Sequence, residues 1–441
     1  MGDSAYPASW YAATRDASAD RPPLAARIEA DVAVVGGGFA GLHSARLLAL
    51  QGKRVALIER RRIGWGASGR NGGFVGPGFA ERSGALIDRL GLEHARRLYA
   101  QSQRGVAIVR EAIDGPIDGR GRPGIRMGSG KLGVSRTDQG PGFADRTRAL
   151  ADRLGAQFEP WDTARVRALL DTRRYHQAIH DPLSFHIHPL NFALALATDI
   201  EARGGAIHEA TEATGLSREG GAWRLRTPRG EIAAPHVVLA GNADLGRVQP
   251  RIARAVLPVA TYVAVTEKIG PGLAQAIRWS GAISDTRRAG DYYRVIDGDR
   301  LLWGGRITTD TREPPRLREM MRGDILSVYP QLGDVRIEYA WPGIMGYAPH
   351  KMPQVGEIQP GLWVCSAFGG HGLAQTAAGA DAVAAGILGD DSLWRLFVPF
   401  GTRWAGGPFG RAATQVAYWS LQARDWWDEK RQAKNAETLR T

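Results

Sequence analysis

The chain has 441 residues and a formal net charge of +12, with 44% hydrophobic and 23% charged residues. This composition is that of a folded globular protein, and the length favours two or three domains. No run of about 18 uncharged apolar residues occurs, and the N-terminal segment lacks the apolar core of a signal peptide. We therefore expect a cytoplasmic protein without an integral membrane segment. A single cysteine, Cys365, excludes an internal disulfide and fits a reducing compartment.

The positive charge comes mostly from arginines that are spread along the chain. A nucleic-acid-binding protein more often shows a basic stripe with interleaved aromatic residues, so we expect no nucleic-acid partner. The charge leaves open an acidic substrate, an anionic cofactor, or weak association with RNA or a membrane surface.

The first clear structural signal follows an expected N-terminal arm at residues 1–30. From Asp31, DVAVVGGG is a short β-branched run stopped by glycines, and FAGLHSARLLALQG has the spacing of a helix. KRVALIER is a second apolar run that ends in an acid. Strand, glycine turn, helix and strand together predict one βαβ unit.

This unit carries a dinucleotide-binding pattern. Gly36 permits a tight turn, Gly38 lets a pyrophosphate approach the backbone, and Gly41 lets helix and strand pack closely. Glu59 ends the second strand, about 20 residues further on, where a carboxylate can accept the ribose hydroxyls. The pattern by itself does not distinguish FAD from NAD. A dehydrogenase would normally continue into another βαβ unit, whereas this chain continues into IGWGASGRNGGF, which we call loop 63–74.

The remaining elements are predicted from periodicity and turn residues. We expect helices over 85–115 and 145–170, separated by the glycine-rich GRGRPGIRMGSGKLGV, and a helix entered at Pro189. Three strands in series follow: AIHEATEATGL, AWRLRTPRG and EIAAPHVVLAGN. DYYRVIDGDRLLWGG predicts a hairpin about Asp297, Gly298 and Asp299. LWVCSAFGGHGLAQTAAGADAVAAGIL predicts a late strand and helix, and a tryptophan-rich helix is expected from about Arg411.

Several segments resemble one known family. DVAVVGGGFAGLHSARLLALQGKRVALIERRRIGWGASGRNGGF resembles the N-terminal region of flavin-dependent amine oxidoreductases of the D-amino-acid oxidase superfamily, most of all the γ-glutamylputrescine oxidase-like branch. HPLNFALALATDIEARGGAIHE, HVVLAGNAD and MPQVGEIQPGLWVCSAFGGHGLAQTAAGADAVA are similar to later segments of that family. Four spaced motifs cover most of the chain.

The resemblance implies an α/β fold. A Rossmann-like FAD-binding domain would be discontinuous, over residues 31–110, 185–255 and 341–395. A substrate domain, over 111–184 and 256–340, would be built on a mostly antiparallel sheet flanked by helices, and 396–441 would form a helical tail. FAD would be bound non-covalently, because Cys365 lies beyond the segment in which some relatives attach it, and loop 63–74 has no histidine.

The resemblance also implies which residues contact the cofactor. Glu59 would bind the ribose, Ala213, in the first of the three strands, would meet the adenine, and loop 63–74 would run along the pyrophosphate and the flavin. The helix that begins near Gly370 would face the pyrimidine end of the flavin. The full expected set is Gly36, Gly38, Phe39, Ala40, Gly41, Glu59, Arg60, Gly66, Ala67, Ser68, Arg70, Asn71, Gly72, Gly73, Ala213, Ala240, Gly241, Gly370, His371, Gly372 and Leu373.

The implied reaction moves a hydride from the carbon next to an amine or amino-acid nitrogen to flavin N5. The imine then hydrolyses, and O2 reoxidises the flavin and gives H2O2. The alternatives are a dehydrogenase that passes electrons to a carrier or quinone, and a flavoprotein that acts on a macromolecule such as tRNA. Relatives that react with O2 use a strand lysine, and Trp303 stands at the matching position here.

The catalytic candidates are His371, Tyr293 and Arg294. Because side chains alternate along a strand, Tyr292 and Arg294 should face one way and Tyr293 the other. Arg294 or Arg306 could hold a substrate carboxylate.

A histidine pair and several tryptophans have simple structural explanations. His186 and His188 form H-x-H on a possible strand, but no cluster of other ligands completes a metal site, and we expect no metal. The aromatic residues Trp65, Trp404, Trp419, Trp426 and Trp427 are expected to be packing residues, with Trp65 beneath its loop. A membrane-surface helix was the alternative for the tail.

Overall fold

The computed structural model describes residues 5–115, 125–246, 248–287 and 290–438. The chain divides into two compact units. Unit 1 comprises Met1–Arg126, His188–Pro258 and Ile344–Gly407, and unit 2 comprises Met127–Ile187, Val259–Gly343 and Pro408–Thr441. The N-terminal arm is thus part of unit 1, and the helical tail from Pro408 is part of unit 2.

Unit 1 is built on a six-stranded sheet that confirms the predicted βαβ unit. Val32–Val35 and Val55–Ile58 pair in parallel, and helix Phe39–Leu50 connects them. In spatial order the strands are Gln354–Gln359, Leu362–Ser366, His236–Leu239, Val32–Val35, Val55–Ile58 and Ala206–His208. All neighbours are parallel except the first pair, which is antiparallel.

A smaller sheet in unit 1 corrects the prediction of three strands in series. Its order is Arg27–Glu29, Glu231–Ala234, Ala222–Arg226 and Gly215–Glu219. The first predicted strand is split, because its beginning, Ala206–His208, joins the six-stranded sheet and its end joins the small one. The last is split at Pro235, which has no N–H to continue a ladder.

Unit 1 also corrects the single helix predicted over 85–115. Gly91 has φ +82° and separates helix Ser83–Leu90 from helix Leu92–Asp114. A non-glycine residue would adopt this backbone only with strain. The other elements of unit 1 are helices Trp10–Ala13, Pro189–Ala202, Pro250–Ala253 and Gly372–Ile387, 3₁₀ turns Ala67–Gly69, Asn242–Asp244 and Trp394–Phe400, and the short strand Phe74–Val75.

Unit 2 is built on a mostly antiparallel sheet, as expected. In spatial order its strands are Ile337–Tyr347, Leu257–Thr266, Arg300–Thr308, Tyr292–Ile296, Ala282–Asp285, Arg126–Val134 and Ala178–Ile187, with Glu159–Trp161 paired to the last. The pair Arg126–Val134 and Ala282–Asp285 is parallel. The predicted hairpin is present, with positive φ at Asp297 and Gly298. The stretch predicted as a glycine-rich separator contains the strand Arg126–Val134, and its residues 119–124 lie outside the described residues.

The helix predicted over 145–170 is two helices with a strand between them. Helix Phe143–Leu154 ends at Gly155, which is left-handed, and Asp162 then caps helix Thr163–Leu169 by accepting the Arg165 N–H at 2.8 Å. The remaining helices of unit 2 are Pro271–Ala276, Leu317–Val328 and Gly407–Thr438, with a 3₁₀ turn at Pro330–Leu332. The last helix begins four residues before the predicted start. No helix in the described part of the chain is long and apolar enough to cross a membrane.

Candidate functional site

The glycine turn of unit 1 leaves no room for side chains. Gly36 has φ +112°, and a Cβ there would lie 2.8 Å from the carbonyl oxygen of Ala240. A Cβ on Gly41 would lie 2.0 Å from the carbonyl oxygen of Gly36, which is closer than van der Waals contact allows. The turn from strand to helix therefore requires glycine at both positions, and it brings bare main chain to the N-terminus of helix Phe39–Leu50.

Loop 63–74 closes against that helix. The Ser68 hydroxyl accepts a hydrogen bond from the Phe39 N–H at 2.9 Å, although 29 residues separate them. Gly38, the residue that precedes the helix, has no side chain with which to cap it. Ser68 therefore performs from the loop the role of an N-cap side chain.

Asn71 fixes the conformation of the same loop. Its amide nitrogen donates to the carbonyl oxygens of Ala67 and Ser68, at 3.1 and 2.8 Å, and its amide oxygen accepts the Gly73 N–H at 2.8 Å. These three bonds engage both ends of the side-chain amide within the loop. They support a shaping role for Asn71, and its predicted contact with the cofactor is still a prediction.

Glu59 lies at the end of the second parallel strand, where its carboxylate meets the glycine turn. One carboxylate oxygen accepts the Gly37 N–H at 2.7 Å and the other accepts the Arg61 N–H at 2.8 Å. Burial raises the pKa of Glu59, and the two backbone hydrogen bonds oppose that rise. The carboxylate is thus held at the strand end, the position from which an acidic residue accepts the ribose hydroxyls in a dinucleotide-binding βαβ unit.

Trp65 is half-buried between two guanidinium groups, and not beneath its loop as predicted. The guanidinium carbons of Arg61 and Arg70 lie 3.8 and 4.2 Å from its ring centroid, and its indole N–H donates to the Ala5 carbonyl oxygen at 2.9 Å. Arg70 also donates to the Trp65 carbonyl oxygen at 2.8 Å. Burial, with the nearby positive charge of Arg61, lowers the pKa of Arg70 to about 10. Cation–π stacking thus orders the rim of loop 63–74.

Two residues that sequence reasoning missed anchor this loop. The Glu209 carboxylate accepts the Ile63 N–H at 2.8 Å, and the Tyr6 hydroxyl donates to the Ile63 carbonyl oxygen at 2.8 Å. Burial is the main cause that raises the pKa of Tyr6 to about 12. Tyr6 and Glu209 lie 57 and 146 residues from Ile63 in sequence, so no local pattern could have found them.

The residues expected near the adenosine lie in connections that follow strands of the six-stranded sheet. Ala240 and Gly241 follow strand His236–Leu239, and Arg60 forms an ion pair with Asp244 at 3.1 Å. Ala213 is not in a strand, as predicted, but in the connection between Ala206–His208 and Gly215–Glu219. The cause is the change of sheet between those two strands.

The C-terminal glycine segment leads into a second helix. Gly369 and Gly370 have φ of +60° and +82°, and helix Gly372–Ile387 begins after His371. His371 is exposed, and its side chain makes no capping hydrogen bond to the helix. Leu373 is buried beneath the turn. The His371 side chain thus leaves the N-terminus of this helix uncapped, and a helix N-terminus favours an anion.

In unit 2, Tyr293 lies in the hydrophobic core. Its ring stacks on Trp303 with centroids 4.2 Å apart and planes 11° apart, and its hydroxyl is 2.8 Å from that of Tyr329. Trp303 is wholly buried, and its indole N–H has no hydrogen-bond partner among the described residues. Both environments are those of core residues, and the catalytic role expected of Tyr293 is untested.

Arg294 points to the other face of the sheet, as alternation requires, and is wholly buried. It donates to Nδ1 of His186 at 2.7 Å and to the Ile187 carbonyl oxygen at 2.9 Å. His186 is therefore protonated at Nε2, which donates to the Ser280 carbonyl oxygen at 2.9 Å. Burial, with the charge of Arg294, lowers the pKa of His186 to about 3. These contacts fix the guanidinium and the imidazole relative to each other.

The histidine pair H-x-H does not lie on one strand. Strand Ala178–Ile187 ends before His188, whose Nδ1 accepts the Asn191 N–H at 3.1 Å and caps helix Pro189–Ala202. Among the described residues, no group of three or more His, Cys, Asp or Glu side chains could hold a metal. Arg306, the other candidate for a substrate carboxylate, is paired with both carboxylate oxygens of Asp324 at 2.6 and 2.9 Å.

The geometry of unit 1 fits a dinucleotide. Gly36 and Gly41 allow the tight turn and the close packing of helix on strand, and Gly38 leaves main chain bare at the start of the helix. A carboxylate stands at the end of the second strand, and a second helix begins at Gly372. These are the parts by which a βαβ unit binds the phosphates and the ribose of a dinucleotide cofactor.

Comparison with known proteins specifies the class. The family model of the DAO family, described as FAD dependent oxidoreductase, matches residues 31–385. γ-Glutamylputrescine oxidoreductase of Escherichia coli (strain K12) is 33% identical over 426 residues, which cover 94% of this chain and 98% of that protein. Glycine oxidase of Pseudomonas aeruginosa is 25% identical over 361 residues, which cover 78% and 90%. The chain belongs to the DAO family of FAD-dependent oxidoreductases, and the predicted resemblance is confirmed.

A solved structure agrees at the level of the fold. Glycine oxidase from Geobacillus kaustophilus superposes with a TM-score of 0.69 at 22% identity, covering 85% of this chain and 98% of that one. This likeness confirms the fold class expected from the sequence. The family model over residues 31–385 confirms FAD as the cofactor.

Proposed function

We propose that this protein oxidises a small amine or amino acid with FAD, forming an imine that hydrolyses to a carbonyl compound. The structural observation that carries the proposal is the glycine turn at Gly36–Gly41 with the Glu59 carboxylate beside it. The similarity in sequence to an amine oxidoreductase over 94% of the chain supports the choice of substrate class.

FAD, when bound, supplies the acceptor for the two electrons of a hydride. Unit 1 is the proposed FAD-binding domain. Gly36, Gly38 and Gly41 would leave main chain open to the pyrophosphate, and Glu59 would accept the ribose hydroxyls. Ser68, Arg70 and the glycines of loop 63–74 would lie along the cofactor, and Ala240 and Gly241 would lie near the adenosine.

The helix that begins at Gly372 is the proposed partner of the flavin ring. Its N–H groups and dipole would stabilise negative charge on the ring, which favours reduction. His371 precedes this terminus, is exposed, and does not cap the helix. These observations support the proposal that its imidazole adjusts charge or transfers a proton there.

Unit 2 is the proposed substrate domain. Arg294 and Tyr293 are its catalytic candidates from the sequence, but both are wholly buried in the structure. The contacts of Arg294 with His186 and Ile187 favour a positioning role, in which the guanidinium holds the end of strand Ala178–Ile187. A direct contact between Arg294 and a substrate carboxylate would require that face of the sheet to open.

We propose O2 as the electron acceptor, with a carrier or quinone as the alternative. The alternative has one specific observation in its favour: Trp303, at the strand position where oxygen-reactive relatives have lysine, is enclosed in the core of unit 2. A cytoplasmic location is also proposed, on the support of the single buried thiol of Cys365.

The test is turnover of the FAD-loaded protein with a panel of primary amines, N-substituted amines and amino acids. Oxygen consumption and peroxide are followed together with the carbonyl product. We expect one peroxide for each carbonyl formed. Carbonyl formation that needs an added quinone or dye would overturn the choice of O2, and no carbonyl with any acceptor would overturn the proposed function.

A further inference from the structure

The helix Gly407–Thr438, here called the tail helix, is attached to unit 2 through polar contacts. Gln415 accepts from the Thr308 hydroxyl and the Thr309 N–H at 2.9 and 2.8 Å. About four turns of helix further along this face, Glu429 pairs with Arg136 at 3.1 Å and Arg174 at 2.8 Å. Two cavities of about 690 and 330 Å³ lie along the same side and share Gln422 in their lining. The attached side thus combines polar contacts and two cavities with the half-buried Tyr418 and Leu421.

The exposed apolar residues of the tail helix lie on an adjoining face, and two of them, Trp419 and Trp426, also border the two cavities. Their spacing alternates between three and four residues, which is the spacing of a seam between two helices. All six are exposed, and the seam consists of Phe409, Ala412, Val416, Trp419, Ala423 and Trp426. Trp427 adjoins its end. A helix packed on its own domain normally buries its apolar stripe, whereas the seam of the tail helix stays exposed.

The exposed area is large enough for a partner. Phe409, Trp419, Trp426 and Trp427 are 82%, 60%, 57% and 61% exposed. At 150–250 Å² per aromatic side chain, these four offer roughly 400–650 Å². A stable interface needs roughly 800 Å² from each partner, and Val416 with the flanking residues would supply much of the remainder. A patch of this size on a protein surface marks an interaction site.

The order of residues in the seam identifies the partner. The seam has the same order of side-chain types when it is read from either end. An aromatic residue comes first, then an alanine, two larger apolar residues, a second alanine and a second aromatic residue. In an antiparallel pair of identical helices, Phe409 would face Trp426, Ala412 would face Ala423, and Val416 would face Trp419. A two-fold interface requires this self-complementarity, because each copy presents the same patch. The alanine layers would let the two helices approach closely.

We propose that the tail helix is a dimerisation element, whose apolar seam packs antiparallel against the same seam of a second copy of this chain. A membrane surface is the less favoured partner. Among residues 407–431 there are four basic and three acidic side chains, so the helix lacks the excess of positive charge by which interfacial helices bind anionic lipid.

The first test measures the mass of the FAD-loaded protein by sedimentation. We expect twice the chain mass of 47.6 kDa for the unaltered protein. Val416→Asp should raise the dimer dissociation constant about 30-fold or more, the effect of losing a central interface residue. Ala417→Asp is the matched control, because it adds the same charge one residue away on a side that neither the seam nor the attached face uses. It should leave the mass unchanged.

The second test fixes the orientation by disulfide formation. Cys365 is buried, so introduced thiols have no exposed competitor among the described residues. Antiparallel pairing predicts that a mixture of Ala412→Cys and Ala423→Cys proteins forms the mixed disulfide, whereas parallel pairing predicts that each forms a disulfide with itself.

Three results would overturn the proposal. The first is an unaltered protein that sediments as a monomer at protein concentrations well above about 1 µM. The second is a dimer whose mass Val416→Asp leaves unchanged. The third is that Ala412→Cys and Ala423→Cys each form a disulfide with themselves and not with each other. Flavin content and turnover are recorded for each variant, so a failure of dimerisation is distinguishable from a failure of the proposed reaction. A monomer that binds anionic vesicles would assign the seam to a membrane surface instead.

Discussion

The hydroxyl of Ser68 accepts the backbone N–H of Phe39, and this bond joins loop 63–74 to the first turn of the dinucleotide helix. The helix has no cap of its own, because Gly38 must stay bare. The loop therefore does two things: it presents small residues along the proposed cofactor path, and it stabilises the helix end that would receive the phosphates.

Ser68→Ala removes this cap. We expect a loss of about 1 kcal/mol in the free energy of unfolding of the FAD-free protein, the usual effect of losing an N-cap side chain. The affinity for FAD should fall as well, because the first turn of the helix is less ordered. Denaturant unfolding and FAD titration measure the two effects. Ser129→Ala, at an exposed strand position, is the control and should change neither.

Gly41→Ala tests the close approach of helix and strand. Its Cβ would lie 2.0 Å from the carbonyl oxygen of Gly36, so the helix must move away from the turn. We expect destabilisation of about 1–3 kcal/mol and loss of FAD binding. Gly66→Ala is the matched control for stability, because its Cβ would meet no atom within 4 Å and its φ is −74°. Equal melting temperatures for the two variants would show that the described turn is wrong.

Glu59→Gln tests the carboxylate at the end of the second strand. The side-chain amide can accept only one of the two backbone N–H groups that the carboxylate now accepts, and it is a poorer acceptor for ribose hydroxyls. We expect the dissociation constant of FAD to rise about 10-fold or more, from the loss of a charge-assisted hydrogen bond. Glu29→Gln, at an exposed strand position, should bind FAD normally. Unchanged binding by Glu59→Gln would remove Glu59 from the site.

Substitution of His43 is expected to raise the stability of the protein, in contrast to Ser68→Ala and Gly41→Ala. His43 is wholly buried in helix Phe39–Leu50 between Phe39 and Phe192, and in the described part of the chain neither ring nitrogen has a hydrogen-bond partner. His43→Leu removes two unpaired polar atoms and keeps most of the volume. We expect the protein to gain about 1–2 kcal/mol at neutral pH. Destabilisation at neutral pH would indicate that the imidazole has a partner after all.

The same substitution should change the dependence of stability on pH. Burial, assisted by the charge of Arg46, lowers the pKa of His43 from its usual 6.5 to about 3. The unfolded chain therefore binds a proton between those pH values that the folded chain does not, and stability falls as the pH drops from 6.5 towards 3. At pH 5 the resulting loss in the free energy of unfolding is about 2 kcal/mol. Denaturant unfolding at pH 8 and pH 5 should show a smaller difference for His43→Leu than for the unaltered protein.

The sequence predicted those parts of the fold that depend on neighbouring residues. Gly36, Gly41 and Glu59 belong to one βαβ unit of about 30 residues, so their spacing alone located the turn and the acid. The breaks at Gly91 and Pro235 were missed because helical or strand periodicity continues across them. In both cases the backbone requirement of a single residue outweighs the pattern around it.

The contacts that shape the candidate site were beyond sequence reasoning. Ile63 is held by Tyr6 and Glu209, which are distant in sequence and of types that occur in many surface loops. Arg294 was correctly placed on the face of its strand opposite Tyr293. Its partner His186 was considered only as a metal ligand, because no local pattern shows that one strand end will meet an arginine 108 residues later.

The central claim is that this protein transfers a hydride from an amine or amino acid to FAD. Anaerobic mixing tests this claim most directly. The FAD-loaded protein is combined with each member of a panel of amines and amino acids, and the flavin absorbance is followed without oxygen. At least one member should bleach the flavin fully and yield its carbonyl product after hydrolysis. A protein that binds FAD at the glycine turn, yet keeps its full flavin absorbance with every member of the panel, would contradict the account.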